Sequence, residues 1–321
     1  MQCFSLIFFA LTVVTSLKSL PDIDITITKI KNKLDQPNPE KSPGNDLIHP
    51  AILKNLSDEL AVPLTDIFKS TMQETEILDD WKMANVTPIY KNGSKRQAVN
   101  YRPINLTSQI SKILESVIRD EMMAYLLKHN IIRDTQHGFL PSKSCLMNLL
   151  TFLEKVTKQL EEGSPVDVVY QDFSKAFDTV PHHRLKLKLR AHGINTRTAD
   201  WIGEWLRDRK QRVVVRGGKS SWSKVHSGVL QGSVLGPLLF IIYINDIEDG
   251  LPCEILKFAD DTKMFSKITC QQDIDDFQYS LQEVEEWSRE WQMRFNVEKC
   301  KCLHLGYGNP QQIYTVGGKS W

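Results

Sequence analysis

The amino-acid sequence predicts an α+β fold. Helical and extended patterns mix along it without the strict strand–helix–strand alternation that a parallel sheet requires. Ile110 to His129 places apolar residues at Ile110, Ile113, Leu114, Val117, Ile118, Met122, Tyr125 and Leu126, the 3.6-residue spacing of a helix. Val166 to Tyr170 (VDVVY) and Arg212 to Arg216 (RVVVR) are short β-branched runs that read as strands. The 321 residues are 41% hydrophobic and 25% charged, enough for one large domain or two ordinary ones with a sizeable core.

The remaining elements follow in order. Cys3 to Val14 is an apolar run too short to cross a bilayer comfortably. It resembles a signal-peptide core with a small-residue site at Val14-x-Ser16, although no Lys or Arg precedes it; the competing expectation is a chance start inside a longer reading frame. We therefore set residues 1–20 apart as signal-like or artefactual, and residues 21–45 as a linker. Lys29 to Asn45 is polar and rich in Pro and Lys, and Pro43-Gly44-Asn45-Asp46 is turn chemistry. Ile48, Ile52, Leu53, Leu56, Leu60, Leu64, Ile67 and Phe68 carry helical periodicity. Trp81 to Tyr90 reads as a strand, Lys91 to Arg96 as a basic turn, and Tyr101 to Ile104 as the return strand. Leu146 to Glu161 reads as a helix, and Arg184 to Arg207 as helical and basic. Gly217-Gly218 makes a turn, and Leu235 to Ile244 an apolar helix. Leu256 to Ala259 and Lys263 to Ser266 read as strands meeting at Asp260-Asp261, and Ile274 to Trp291 as an amphipathic helix.

The formal net charge is only +1, so total charge does not announce a polyanionic partner. The charge is nevertheless segregated. His182 to Lys224 holds twelve Lys and Arg against three acids, a net of +9, whereas Asp273 to Glu290 holds seven acids and one Arg. Such a basic density suits a polyanion; solvated helix faces are the competing reading. The six cysteines contain no C-x-x-C pair, which argues against a zinc ribbon and for buried thiols in a reducing compartment.

Two apolar segments run straight into carboxylates. Val168-Val169-Tyr170-Gln171 ends at Asp172, and Lys257-Phe258-Ala259 ends at Asp260-Asp261. Adjacent acids repel, and each wants water or a cation. In a tight hairpin Asp260 and Asp261 point to opposite faces, so one of them, Asp260, forms a site with Asp172. All-oxygen ligands suit two hard Mg²⁺ ions, which would clamp both oxygens of an in-line phosphoryl transfer. An ordinary turn is the usual fate of a lone Asp-Asp pair.

The ordered set of motifs resembles the reverse-transcriptase domain of non-LTR retrotransposons, closest to the CR1/Jockey-like group. Ser42 to Pro50 (SPGNDLIHP) resembles the family's entry block. Trp81 to Lys91 with Asn100 to Ile104 resembles its first finger motif, and Gln136-His137-Gly138-Phe139 with Ser142 to Cys145 its second. Tyr170 to Pro181 (YQDFSKAFDTVP), Ser227 to Pro237 (SGVLQGSVLGP) and Phe258 to Asp261 (FADD) resemble motifs A, B and C. Asn296 to Lys299 resembles motif D. One FADD alone is weak; seven blocks in family order are highly specific.

The resemblance implies a right-hand polymerase fold, with fingers and an antiparallel palm sheet over residues 46–310 and a truncated start of the thumb connection at 311–321. It implies RNA-directed DNA synthesis, with dNTP joined to a primer 3′-hydroxyl by two Mg²⁺ ions, Mn²⁺ being the alternative metal. Asp172 and Asp260 resemble the metal-binding aspartates and Asp261 completes the set. Phe177 stands at the steric-gate position, where a ring would exclude a 2′-hydroxyl. Arg102 and Lys91 resemble cations that neutralise the incoming triphosphate. Gln231 and Gly232 resemble the residues beside the nascent base pair, and Lys299 a general acid for pyrophosphate. The implied partners are an RNA template, a DNA primer and dNTP, with no membrane; oligomeric state is not implied. The family's compartments are nucleus and cytoplasm.

Gln171 departs from the Leu usual before the motif A aspartate, Leu230 from the usual Pro of motif B, and Phe258 from the commoner Tyr. No endonuclease domain precedes residue 40, and most of a helical thumb is absent. These departures leave two other readings: a catalytically inactive retrotransposon remnant or nucleic-acid-binding module, and a secreted protein with another use for the fold.

Overall fold

The computed structural model describes residues 19–320. The signal-like reading of the N-terminal segment falls on residues 1–18, outside the described residues. In chain order the elements are α1 (Ile27–Leu34), α2 (Pro50–Asn55), α3 (Ser57–Glu74), β1 (Met83–Tyr90), β2 (Tyr101–Leu106), α4 (Gln109–Lys128), α5 (Cys145–Glu161), β3 (Val166–Gln171), α6 (Ala176–Thr179), α7 (His182–Ala191), α8 (Thr196–Leu206), β4 (Lys210–Val215), β5 (Gly218–Lys219), β6 (Ser223–Lys224), α9 (Gly236–Tyr243), β7 (Glu254–Phe258), β8 (Asp261–Lys267), α10 (Gln271–Glu290), β9 (Lys301–Leu305), β10 (Thr315–Val316) and β11 (Lys319–Ser320). The mixture is α+β, with sheets that are mostly antiparallel. The chain divides into two compact units: residues up to Ile131 with His182–Leu239, and Ile132–Pro181 with the residues from Phe240 onward.

The first unit holds the sheet β2-β1-β4-β5, with β6 also on β4. β1 and β2 pair antiparallel as the sequence predicts, with Ile89 opposite Arg102, whereas β1 and β4 pair parallel. Phe68 meets Trp81 edge to face at 5.8 Å, and Trp201 and Trp205 are fully buried.

The structure refines three of these expectations. The linker contains α1, because Thr26 caps Lys29 N and Ile30 and Leu34 form a buried stripe against α3 and α4. The 48–68 periodicity becomes two helices broken at Leu56, with Leu53, Leu64 and Phe68 buried but Ile52, Leu56 and Ile67 exposed. The basic 184–207 stretch also splits in two. Gly193 (φ +77°) ends α7 where a Cβ would fall 2.1 Å from Tyr125 Oη, and Asn195 caps α8 through Thr198 N.

Much of that stretch's charge is spent inside the unit. Lys186 and Arg190 both pair with Asp200, and Arg207 with Glu204. Arg209 is buried, donating to Trp205 O and Trp81 O and lying over the Trp205 ring at 5.0 Å. Burial lowers its pKa to about 10. Lys210, Arg216, Lys219 and Lys224 are exposed.

The second unit is built on the sheet β7-β8-β3-β9, antiparallel throughout. Phe152 and Val156 of α5 pack on Val166, Val168, Leu256 and Phe265. Side chains alternate along a strand, so Asp167 lies on the opposite face from Val166 and Val168. There it is buried, accepting from Tyr314 Oη at 2.7 Å and Asn309 Nδ2 at 2.8 Å, with His304 Nδ1 at 2.8 Å. α10 buries Phe277, Leu281 and Val284 and contacts β8 and β10.

Candidate active site

β3 is buried except at the half-buried Tyr170, so it delivers Asp172 at a fixed point just past its end. The chain beyond stays tied down. Asn296 N donates to Asp172 O at 2.7 Å, Phe173 bridges Phe295, and Ser174 N donates to Arg294 O at 2.8 Å. β7 and β8 form a tight hairpin in which Phe258 pairs with Asp261. Asp261 is therefore the first residue of β8, and the turn is Ala259-Asp260, one residue earlier than the sequence predicts. Ala259 adopts a left-handed φ of +54°.

The strand beside β3 is β8, with Gln171 opposite Thr262. That register sets Asp261 next to the end of β3. Its side chain is exposed at the sheet end, yet its pKa is raised, by partial desolvation first and by the neighbouring Asp172 charge second. Lys299 lies in the turn before β9 and places Nζ 2.6 Å from Asp172 Oδ2. Its pKa is raised by that hydrogen bond and further by the charges of Asp172, Asp260 and Asp261. Four of the residues expected in the site thus share one electrostatic neighbourhood. Asp261, which the sequence reading turned away from Asp172, feels its charge.

The donor set suits a hard divalent cation. It is all carboxylate oxygen, and its members repel one another unless a positive charge intervenes. The Lys299 ammonium supplies such a charge on Asp172. Among the described residues no three His, Cys, Asp or Glu side chains converge on one point to hold a metal.

Phe177 lies on α6 in the same unit, its ring stacked on Phe240 at 4.6 Å and met edge-on by Phe139 at 6.0 Å. Gln171, where Leu is usual, is buried with neither its amide oxygen nor its amide nitrogen partnered in the protein. The hydroxyl of Thr262 opposite it is likewise unpartnered.

The other expected site residues belong to the first unit. Lys91 follows β1, Arg102 is on β2, and both side chains are exposed. Gln231 and Gly232 lie in the loop before α9. Asn105 N donates to Gln231 O at 2.8 Å and Asn105 Nδ2 donates to the same oxygen at 3.1 Å. Gly232 (φ +107°) passes so close that a Cβ would meet Asn105 O at 2.5 Å. Buried Glu115 accepts from Val234 N at 2.8 Å and anchors the far side of the loop.

Asn105, Glu115 and Gln136 were not singled out by role in the sequence. Gln136 Oε1 accepts from Ala259 N at 2.9 Å, which fixes the Asp260 turn. Its block was visible as part of a motif, but nothing local to a glutamine reveals a partner 123 positions away.

Residues 89–317 match the family model described as "Reverse transcriptase (RNA-dependent DNA polymerase)". The chain belongs to the reverse transcriptase family. It is 29% identical over 289 residues to a "Probable RNA-directed DNA polymerase from transposon X-element" of Drosophila melanogaster, which covers 85% of this chain and 31% of that protein. It is 28% identical over 292 residues to an "RNA-directed DNA polymerase from mobile element jockey" of the same fly, covering 88% of this chain and 32% of that protein. A "Retrovirus-related Pol polyprotein from type-1 retrotransposable element R2" of Popillia japonica is 32% identical over 188 residues, 54% of this chain and 29% of that protein. These names agree with the resemblance drawn from the motif blocks. The chain spans about a third of the length of the X-element and jockey relatives. Reverse transcriptases generally use divalent metal ions. Among the described residues no helix is long and apolar enough to cross a membrane.

Proposed function

We propose that this chain carries the polymerase centre of an RNA-directed DNA polymerase of a non-LTR retrotransposon, its second unit corresponding to the palm and the β1–β2 hairpin to part of the fingers. The observation that carries this reading is the gathering of Asp172, Asp260, Asp261 and Lys299 at one end of an antiparallel sheet, in a chain of the reverse transcriptase family. In this reading Asp172, Asp260 and Asp261 hold two divalent ions, Mg²⁺ or Mn²⁺. When bound, those ions lower the charge barrier to in-line displacement and orient the primer 3′-hydroxyl and the departing pyrophosphate.

The residues have separate tasks. Asp172, released from Lys299, binds and orients. Lys299 then holds a proton beside the site and gives it to the leaving pyrophosphate. Phe177 offers a flat ring, stiffened by Phe240, that leaves no room for a 2′-hydroxyl and so selects dNTP. Lys91 and Arg102 contact the triphosphate, and Gln231 and Gly232 lie against the base pair being formed. Exposed Lys210, Arg216, Lys219 and Lys224 contact template or primer phosphates without reading sequence. The supporting test is RNA-templated incorporation of dTTP that is lost in Asp172→Asn.

A further inference from the structure

The segment Gln136 to Phe139 touches both halves of the proposed centre. It first adds to the edge of β7. Lys257 N donates to Thr135 O at 2.9 Å and His137 N to Lys257 O at 2.8 Å, with Gln136 and Lys257 bridged in parallel. From there the buried Gln136 side chain reaches along the hairpin to its turn. Oε1 accepts from Ala259 N at 2.9 Å and from Gly138 N at 2.7 Å, and Nε2 donates to Ala259 O at 3.5 Å. Both backbone polar groups of the left-handed residue before Asp260 are thus satisfied by one carboxamide. Gly138 makes the approach feasible, since a Cβ there would fall 2.3 Å from Ala259 N. One residue later the chain turns through a left-handed φ of +59°, which brings the Phe139 ring edge-on to Phe177 at 79°.

We infer that Gln136 and Phe139 are positioning residues with separable effects: Gln136 sets the Asp260 carboxylate for metal, and Phe139 sets the Phe177 ring for sugar selection. The inference rests on the proposed polymerase reading. A buried N–H that loses its acceptor is costly, so the Ala259 turn relaxes when the carboxamide is removed. Phe177 has Phe240 on its face and Phe139 against its edge, so removing Phe139 frees the ring to swing away from the sugar.

The test uses the full chain and four variants, Gln136→Met, Gln136→Glu, Phe139→Ala and Asp260→Ala. Mn²⁺ binding is read by electron paramagnetic resonance, amide exchange at Ala259 and Phe177 ring shifts by NMR, and rNTP against dNTP use by primer extension. Gln136→Met is expected to weaken Mn²⁺ binding about tenfold and expose Ala259 N–H, with nucleotide selection unchanged. Gln136→Glu keeps the acceptor for Ala259 N but loses the donor to Ala259 O, so it is expected to protect the Ala259 N–H better than Gln136→Met and less well than the wild type. Phe139→Ala is expected to shift the Phe177 ring resonances and raise the rNTP share about tenfold, with Mn²⁺ binding unchanged. Unaltered Ala259 exchange in Gln136→Met, or unaltered Phe177 ring shifts in Phe139→Ala, overturns the inference. Both local readouts hold whether or not the wild-type chain extends a primer. Mn²⁺ binding that ignores Asp260→Ala instead defeats the polymerase reading itself.

Discussion

Lys299 Nζ sits 2.6 Å from Asp172 Oδ2, so a side chain of the protein holds the carboxylate on which the proposed chemistry depends. The lysine is 67% exposed, and such a pair is worth at most about 1 kcal/mol. In the proposed reading it is a contact that a divalent ion would displace. Because the folded pKa of Lys299 is raised above 10.5, the contact is fully present below that value and is lost as pH climbs through the raised pKa. Lys299→Met is expected to tighten Mn²⁺ binding by roughly up to fivefold, since a competing cation is gone. The same variant should slow nucleotide addition. Titration by electron paramagnetic resonance and single-turnover extension check the two effects.

Asp261 gives a pH signature of opposite origin. Partial desolvation and Asp172 raise its pKa, so the metal-free fold binds a proton there more readily than the unfolded chain does. Stability from this group therefore increases as pH falls through the raised pKa toward the ordinary value of 3.8, and decreases as pH rises back through it. Asp261→Asn should raise the melting temperature of the metal-free chain at neutral pH and flatten its pH dependence. Calorimetry from pH 3.8, the ordinary value of the carboxyl, up to neutral measures both.

The departure at Gln171 is a stability cost. Its two amide atoms and the Thr262 hydroxyl opposite are buried without partners in the protein. Restoring the family's leucine by Gln171→Leu removes the orphaned amide and should stabilise the fold by about 1–3 kcal/mol in urea unfolding. An unchanged or lower midpoint would mean that the amide is satisfied in solution.

Gly232 is required by geometry. An added Cβ would meet Asn105 O at 2.5 Å on a φ of +107°, and the obstructing atom is backbone. Gly232→Ala should displace the loop at a cost of about 1–3 kcal/mol and raise the KM for dNTP more than it lowers kcat. Steady-state kinetics separates the two.

The cations of the His182–Lys224 stretch divide by burial. Arg209→Ala leaves two buried carbonyls without a donor and should destabilise the fold by about 2–4 kcal/mol. Lys210→Ala and Lys219→Ala should leave stability alone, yet each lowers the slope of log K against log salt by about 0.7–0.9 for nucleic-acid binding. Equal slopes in the lysine variants and the wild type would remove those lysines from the phosphate track.

The parts of this site that were legible in the sequence are those in which local pattern and chemistry coincide. An apolar β-branched run that stops at an acid marked β3 and Asp172, and an Asp-Asp pair between two short strands marked the hairpin. The missing parts depend on distant partners. The parallel pairing of β1 with β4, the adjacency of β8 rather than β7 to β3, and the grip of Gln136 on Ala259 join positions far apart in the chain. α1 was hidden because its apolar stripe is short and polar, Pro-rich sequence follows it. The break at Gly193 was hidden because basic and apolar residues continue on both sides. Segregated charge was a poor guide to surface, since Arg209 is needed inside.

The most direct test of the central claim is primer extension by the purified chain on a poly(rA)–oligo(dT) duplex with dTTP and Mg²⁺, against an Asp260→Ala, Asp261→Ala double variant. The expected result is extension that requires the metal and vanishes in the double variant. Chain that is folded and binds the duplex but adds no nucleotide would contradict the claim, and would leave a nucleic-acid-binding remnant as the better account of the same site.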